Sequence, residues 1–417
     1  MRCQTEVAGV GDDDFPATAA RGKPQLNEIG EAIILAAKYL TRSIDAEGRF
    51  VYRINPKYID STKTDYNVLR HAGTIYALAS YYRQWHAAVP TRSALLRAGQ
   101  FLQICCMGAI TTHHDLLGIW SPPTVTGADR LQLKLGGNGL GLVALLNLEA
   151  IQPGFTSKEE FLRLGRFIIY MQKPDGSFFS KYIPSQGGRQ DRWVSLYYPG
   201  EAALGLLLLY DYDPAPIWLH SAAKALAHLA HSRASQASVP ADHWALLATA
   251  HLLQGDRLNK TLYATWHKVH QVNLRELLIG HVVQISQSIL NEQLRQANDP
   301  LLLGGFTPDG RTAPTATRLE GLLAALEVLP TDCVELRQHI EASVHTGMAF
   351  LLRAQIRSGQ YAGALPRAVL PIAIEEAAEA KRFNQRVSEI RIDYVQHALS
   401  AMLQYVRYFG AESSLDQ

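Results

Sequence analysis

Residues 198–210 read YPGEAALGLLLLY, a stretch in which proline and glutamate open a helix and apolar residues then occupy every face. A helix that is apolar all round packs against neighbours on several sides. We interpret this stretch as one of six inner helices with the same Ala, Gly and Leu content. The other five begin near Asp65, Gly137, Asp242, Arg318 and Asp393.

A second class of segment alternates with the first along the whole chain. These segments are amphipathic, which is typical of helices that cover a core on one side only. They span 27–43, 91–106, 157–172, 216–232, 262–293 and 334–355. The alternation predicts an all-α fold, an (α/α)6 toroid of six helical hairpins in which outer helices surround a ring of inner helices.

The connections from outer to inner helices are polar and several contain an Asp-Gly turn or a similar Gly turn flanked by aromatic residues. They span 45–50, 172–178, 307–310 and 355–361. Turns of this composition predict short β-hairpins. The reverse connections are mostly short, so a functional site is expected at the end of the ring that carries the hairpins.

Composition excludes several classes of partner. The 417 residues include 40 Lys and Arg against 38 Asp and Glu, and the net charge of +2 gives no field that would attract nucleic acid. No apolar run approaches the roughly 18 residues of a membrane span. We expect a disordered tail over 1–26 and a single domain over 27–417. The tail has no secretory h-region and the four cysteines form no disulfide pattern, so we expect a cytoplasmic protein of undetermined oligomeric state.

The alternation and the Asp-Gly turns resemble those of the six-hairpin glycosidase-like superfamily, over about residues 27–410. That superfamily includes glycoside hydrolases, unsaturated uronyl hydrolases, sugar epimerases and relatives of polysaccharide lyases. The resemblance implies a carbohydrate-active enzyme whose site is at the centre of the ring, with an oligosaccharide or polysaccharide as its partner. The motifs of no single member family are complete, so the reaction stays open.

Four acidic residues stand at starts of inner helices and are candidate catalytic groups: Asp65, Glu201, Glu320 and Asp393. Glycoside hydrolysis needs two carboxyl groups about 5 Å or about 6.5 to 9.5 Å apart. Asp65 with Glu201 is the first predicted pair. The alternative for Glu201 is a helix-capping role, because it follows Pro199 at the position of a capping glutamate.

Histidine, tyrosine and asparagine side chains accompany these acids. Asp65 and Asp393 are each followed by Tyr and, within two turns, by His, which suggests one role for the two hairpins. A uronate epimerase or lyase, with Tyr198 or His71 moving a proton, is therefore an alternative to a hydrolase. Further candidate contacts to a sugar are Tyr66, Asn138, Trp193, Tyr197, His243 and His397. Core packing and a structural histidine are the competing interpretations.

Arginines also cluster at or before the inner helices, although the overall charge is nearly neutral. They are Arg70, Arg189, Arg192, Arg318 and Arg391. Guanidinium groups bind carboxylates, sulfates and phosphates, so the pattern predicts an acidic, uronic acid-containing saccharide. The alternative is that these arginines pair with nearby acids. A third function from another class is a non-catalytic toroid that binds a saccharide or a protein.

Two motifs resemble a cofactor site and a metal site, and both are discounted. Residues 139–144, GLGLVA, fit a dinucleotide fingerprint, but no βαβ unit surrounds them and small residues at close helix contacts explain them. His113-His114-Asp115 has no complementary ligand pair. We therefore predict neither a cofactor nor a metal.

Overall fold

Twelve long helices alternate between two layers in the computed structural model, which describes residues 23–58, 65–85, 89–255, 257, 273–373 and 377–413. The helices of these ranges are α1 Leu26–Arg42, α2 Val68–Trp85, α3 Val89–Cys106, α4 Pro123–Thr126, α5 Leu135–Ile151, α6 Lys158–Tyr170, α7 Tyr198–Tyr212, α8 Pro216–Arg233, α9 His243–Leu253, α10 Leu274–Glu292, α11 Thr312–Leu326, α12 Val334–Ala354, α13 Ala378–Asn384 and α14 Ile392–Ser413. Helices α4 and α13 are short and lie in connections.

The inner helices form a closed ring. Helix α2 packs against α5, α5 against α7, α7 against α9, α9 against α11, α11 against α14, and α14 returns to α2. Helices α1, α3, α6, α8, α10 and α12 lie outside this ring. The predicted (α/α)6 toroid is confirmed. Of the predicted outer segment 262–293, residues 262–272 lie outside the described ranges, as do residues 1–22 of the predicted tail.

Burial separates the two layers in the manner that their sequences predict. In the inner helix α5 every residue from Leu135 to Leu148 is buried. The outer helix α6 buries one face only, and its first turn is fixed by a capping box in which Ser157 accepts from the backbone N–H of Glu160 while the Glu160 side chain accepts from that of Ser157.

Glycine allows the inner helices α5 and α7 to approach closely. A Cβ atom at Gly139 would lie 2.6 Å from the backbone carbonyl of Glu201. A Cβ atom at Gly137 would approach only the Cβ of Lys134, at 3.9 Å. Gly139 therefore sets the distance between these two helices. The run 139–144 accordingly serves helix packing, as the sequence analysis concluded.

Short strands lie in the connections. Strand β1 Arg53–Ile54 pairs with β7 Ile390–Arg391, and a five-stranded antiparallel sheet has the order β2-β3-β4-β5-β6. Its strands are β2 Met107–Ile110, β3 His113–Ser121, β4 Gln132–Lys134, β5 Lys181–Ile183 and β6 Gly188–Gln190. Single bridges close two of the predicted hairpins, with Gly48 and Gly176 at φ of 88° and 95°. No helix within the described ranges has the length and apolarity that a bilayer span requires.

Candidate active site

A cavity of about 500 Å³ opens at the end of the ring where the inner helices begin. The first turns of α2, α7, α9, α11 and α14 contribute to its wall, together with the connection that precedes β7. Helix N-termini place backbone N–H groups and positive dipole ends at this surface, which favours an anionic ligand.

Two histidines and a glutamate form a cluster at the inner surface of this cavity. The Oε2 of Glu320 lies 2.7 Å from the Nδ1 of His397 and 3.9 Å from the Nε2 of His243. The imidazole rings of His243 and His397 are 5.3 Å apart and nearly perpendicular. We call these three residues the histidine cluster.

Within the histidine cluster the two imidazoles differ in their affinity for a proton. Burial alone would lower the pKa of His397, but the carboxylate of Glu320 outweighs it and the pKa is raised. Burial lowers the pKa of His243 well below its usual value, and the nearby His397 and Arg318 lower it further. His243 is therefore neutral at a pH at which His397 and Glu320 still share a proton.

Neither ring nitrogen of His243 has a hydrogen-bond partner among the described residues, although the side chain is only 2% exposed. Its position is fixed by Asp242, which accepts from the backbone N–H of Ala245 at 3.1 Å and caps helix α9. Asp242 also pairs with the buried Arg233 at 2.9 Å. A rigidly held imidazole with two unused nitrogens can accept a proton from a ligand.

Glu201 is a buried carboxyl group that lines the cavity from helix α7. Burial raises its pKa well above the ordinary value and the nearby Asp242 raises it further, so the surroundings favour the protonated form. Its Oε2 has no partner among the described residues. Gly136 leaves the space that this carboxyl group occupies, because a Cβ there would overlap Oε2. Glu201 can therefore donate a proton or a hydrogen bond.

Asp393 is held between two arginines. Its carboxylate binds Arg391 through two contacts of 2.5 and 2.9 Å and lies 3.1 Å from the Nε of Arg70. Burial would raise the pKa of Asp393, but these two guanidinium groups lower it overall. Asp393 is thus ionised, and its oxygens are already engaged.

Six arginines line the cavity: Arg70, Arg311, Arg318, Arg367, Arg386 and Arg391. Besides the pairs of Asp393, Arg318 binds Glu292 at 2.6 Å and Arg386 binds Glu389 through two contacts of 2.8 and 2.9 Å. Arg367 forms no ion pair with any described carboxylate, and its guanidinium stacks over a phenylalanine ring. Arg311 binds Asp309 at 2.8 Å, so the alternative of pairing with nearby acids holds for every cavity arginine except Arg367.

The sequence-predicted residues divide into three groups in the structure. Those that line the cavity are Arg70, Tyr197, Glu201, His243, Arg318, Arg391, Asp393 and His397. Glu320 lies behind them and contacts His397. The first predicted carboxylate pair is not brought together, because Asp65 is exposed and does not line the cavity.

Several other predicted residues have structural contacts instead. His71 is fully buried, and its ring nitrogens contact the Tyr66 hydroxyl at 2.7 Å and the carbonyl of Ala98 at 2.9 Å. Asn138 is buried and its Oδ1 accepts from the backbone N–H of Ile119 at 2.7 Å. These side chains satisfy internal polar groups of the ring and do not face the cavity.

A third set lies on or after strand β6, outside the cavity wall. Arg189, Arg192 and Trp193 are exposed, and Arg189 lies 4.5 Å from the centre of the Tyr170 ring. The ring of Tyr198 packs against Trp193 at 5.5 Å. The sequence placed these residues next to Glu201 along the chain, but helix α7 directs Glu201 inward while the preceding segment stays at the surface.

Three cavity arginines were not predicted. Arg311 directly follows the turn at 307–310 and precedes α11, so its position before an inner helix was a usable signal. Arg367 and Arg386 lie in the connection between α12 and β7. That connection contains the short helix α13, and nothing in the sequence places it over the ring.

The histidine cluster is also the group of described residues that could hold a metal ion, since one ligand atom from each member lies within 4.8 Å of the others. Two ligands of a tetrahedral zinc ion lie about 3.3 Å apart, given metal–ligand distances of about 2.0 Å. The 2.7 Å separation of Nδ1 and Oε2 is that of a hydrogen bond, so the geometry fits a shared proton.

Solved structures with the same fold cover nearly the whole chain. D-mannose isomerase matches with a TM-score of 0.56 and 12% identity, over 94% of this chain and 100% of that one. Cellobiose 2-epimerase from Spirochaeta thermophila gives 0.58 and 13%, over 92% and 97%. The GH76A alpha-1,6-mannanase from Salegentibacter sp. gives 0.55 and 11%, over 91% and 99%. At these identities the likeness shows a shared (α/α)6 toroid fold. No protein-family model and no curated protein matches the chain.

Proposed function

We propose that the protein is a carbohydrate-active isomerase or epimerase that binds an anionic sugar and moves a proton at a carbon next to a carbonyl group. The observation that carries this proposal is the pair of imidazoles with opposite pKa shifts, His243 and His397, at the inner surface of a cavity lined by arginines. The named activities of two structures with this fold, mannose isomerase and cellobiose epimerase, belong to the same class of reaction.

The chemistry follows from the protonation states. Neutral His243 removes the proton from carbon. His397 then donates a proton to the carbon at which the product forms, and it uses its Nε2–H because its Nδ1 contacts Glu320. The enolate oxygen that forms between the two steps carries negative charge, which the cavity arginines stabilise. Each proton removed is matched by one returned, so the composition of the sugar does not change.

Deuterium exchange tests this proposal directly. A panel of uronic acids, sugar phosphates and neutral hexoses is incubated with the enzyme in D2O, and nuclear magnetic resonance and mass spectrometry follow the sugars. We expect one sugar to gain deuterium on carbon and convert to an isomer or epimer. His243→Asn and His397→Asn should each reduce the rate by about 10² to 10⁴, the range of general acid–base catalysis.

The matched control is His251→Asn, which removes a histidine that pairs with Asp211 at 2.7 Å and does not line the active-site cavity. This variant should keep the wild-type rate. Exchange that survives in both His243→Asn and His397→Asn would exclude the histidine cluster as the source of the protons.

A glycoside hydrolase that acts on an acidic saccharide is the second candidate, and the observation that favours it is the buried carboxyl of Glu201, whose pKa is raised and whose Oε2 has no partner among the described residues. Glu201 would protonate the leaving oxygen, and Asp393 would act as the second carboxylate. We rank it second because both oxygens of Asp393 are bound to arginines. A new reducing end without deuterium on carbon would favour this candidate, and binding without any turnover would favour a non-catalytic toroid.

A further inference from the structure

We infer that the anionic group of the substrate is a phosphate monoester, held by Arg311, Arg367 and Arg386, so that the sugar is a sugar phosphate. These three residues are called the arginine wall below. The inference rests on the proposed function in taking a sugar as the ligand, and it adds the chemical class of the charged group. The arguments come from the backbone arrangement, the charge balance and the cavity.

Backbone hydrogen bonds bring the arginine wall together from three separate segments. The N–H of Thr312, next to Arg311, donates to the carbonyl of Arg367 at 3.0 Å. The N–H of Arg367 donates to the carbonyl of Glu389 at 2.7 Å, three residues after Arg386. All three guanidinium groups line the cavity. Asp309 and Glu389 each pair with one of these arginines, so Arg367 is the member whose charge an anionic ligand would compensate.

The environment of Arg367 reflects this crowding. Burial lowers its pKa, and the charges of Arg386 and Arg311 lower it further, although Tyr394 and Glu389 act in the opposite direction. An arginine keeps its charge at neutral pH despite such a shift. Its guanidinium lies 4.8 Å from the centre of the Phe383 ring, which fixes the plane of the fork without neutralising it.

The balance of charges around the cavity indicates how many negative charges a bound anion would carry. Six arginines line the cavity, and among the described residues four carboxylates pair with them: Glu292, Asp309, Glu389 and Asp393. Burial raises the pKa of Glu201, which favours its uncharged form. The six arginines exceed the four carboxylates by two, because Arg367 has no carboxylate partner among the described residues and Arg70 and Arg391 share Asp393. A phosphate monoester carries about 1.5 to 2 negative charges at pH 7, whereas a uronate carries one.

The cavity has space for both a phosphate and a sugar. Its volume of about 500 Å³ falls within the range of small-molecule sites. The arginine wall and the histidine cluster belong to the same cavity, so a sugar bound by its phosphate at the arginine wall can reach His243 and His397. Planar guanidinium forks bind the oxygens of a phosphate in pairs, which fixes the orientation of the sugar.

Calorimetry with three sugars of the same ring tests this inference: glucose 6-phosphate, glucuronate and glucose. We expect glucose 6-phosphate to bind most tightly and glucose least. Arg367→Ala should weaken binding of glucose 6-phosphate by about 10- to 100-fold and leave binding of glucose unchanged. Arg367→Lys, which keeps the charge without the fork, should give an intermediate loss. Arg166→Ala, on the outer helix α6, is the control and should not change any of the three.

The pH dependence separates phosphate from carboxylate. The second pKa of a phosphate monoester is about 6, so lowering the pH from 7.5 to 5.5 should weaken glucose 6-phosphate about fourfold relative to glucuronate. Glucuronate binding as tightly as glucose 6-phosphate would overturn the phosphate inference and leave the proposed proton transfer intact. Failure of both glucose 6-phosphate and inorganic phosphate to bind at millimolar concentration would also overturn it. Binding is measured without turnover, so a failure of the isomerase proposal does not affect this result.

Discussion

Replacing Glu320 by glutamine should lower the pKa of His397 without changing the shape of the histidine cluster. In the wild type the Oε2 of Glu320 contacts the Nδ1 of His397 at 2.7 Å, and the Glu320 side chain is only 1% exposed. The glutamine amide oxygen can still accept from Nδ1–H. The variant lacks the negative charge of Glu320, which in the wild type offsets the effect of burial on the pKa of His397.

The size of the shift follows from the strength of the bond. A hydrogen bond between charged groups contributes about 1.5 to 3 kcal/mol, and one pKa unit corresponds to about 1.4 kcal/mol. The pKa of His397 should therefore fall by about one to two units in Glu320→Gln. Because burial still disfavours the imidazolium, the pKa of the variant should lie below the ordinary histidine value.

The stability of the protein should show the same interaction with a definite sign. The pKa of His397 in the folded state is raised, so the pair stabilises the fold below the unfolded pKa of about 6.5. That contribution is lost as the pH rises through the folded pKa. The free energy of unfolding of Glu320→Gln should lack this decrease above pH 6.5.

Nuclear magnetic resonance titration of the histidine ring protons measures the pKa directly, with His397→Asn used to assign the signal. Glu327→Gln is the control, since Glu327 pairs with Arg407 and does not line the active-site cavity. If His397 titrates at the same pH in the wild type and in Glu320→Gln, the acid assigned to the proposed reaction loses its physical basis.

Three other predictions concern the cavity wall and the packing of the inner helices behind it. Glu201→Gln should leave deuterium exchange and the melting temperature nearly unchanged if His243 and His397 move the proton, because burial already favours the uncharged carboxyl, which glutamine resembles in shape and charge. A fall of about 10² to 10⁴ in turnover would instead assign Glu201 as a general acid. Gly139→Ala should destabilise the protein by about 1 to 3 kcal/mol in urea unfolding, while Gly137→Ala is tolerated; equal effects would contradict the close approach of α5 and α7. Asp393→Asn should cost about 3 kcal/mol, because two guanidinium groups lose their partner, and calorimetry that shows no change would refute this.

The fold could be predicted because each layer of the ring leaves its own pattern in the sequence. The run at 198–210 is apolar on every face, and the outer segment 157–172 shows both one apolar face and its capping box. The five-stranded sheet was not predicted, since most of its strands are short and β4 pairs with β5, where Leu133 lies opposite Tyr182, 49 residues later in the chain. Pairing over such a distance depends on how α3, α5 and α6 pack, which local composition does not encode.

The site was predicted in part, and the reason is geometric. Residues in the first turn of an inner helix face the cavity, so Glu201, His243 and Asp393 could be found from helix starts alone. Asp65 was misplaced because it lies three residues before α2, where the chain is still at the surface. Arg367 could not be found, because its position depends on backbone hydrogen bonds between distant segments.

The closed ring also sets the order in which the site can be assembled during synthesis. Helix α2, near the start of the chain, completes its packing only when α14 lies beside it, and α14 carries both Asp393 and His397. A nascent chain that ends before this helix leaves Arg70 without its carboxylate and Glu320 without its imidazole. Contacts between such distant parts of a chain form late and slowly in folding. A chain that ends before α14 therefore lacks Asp393 and His397 and cannot assemble the site described above.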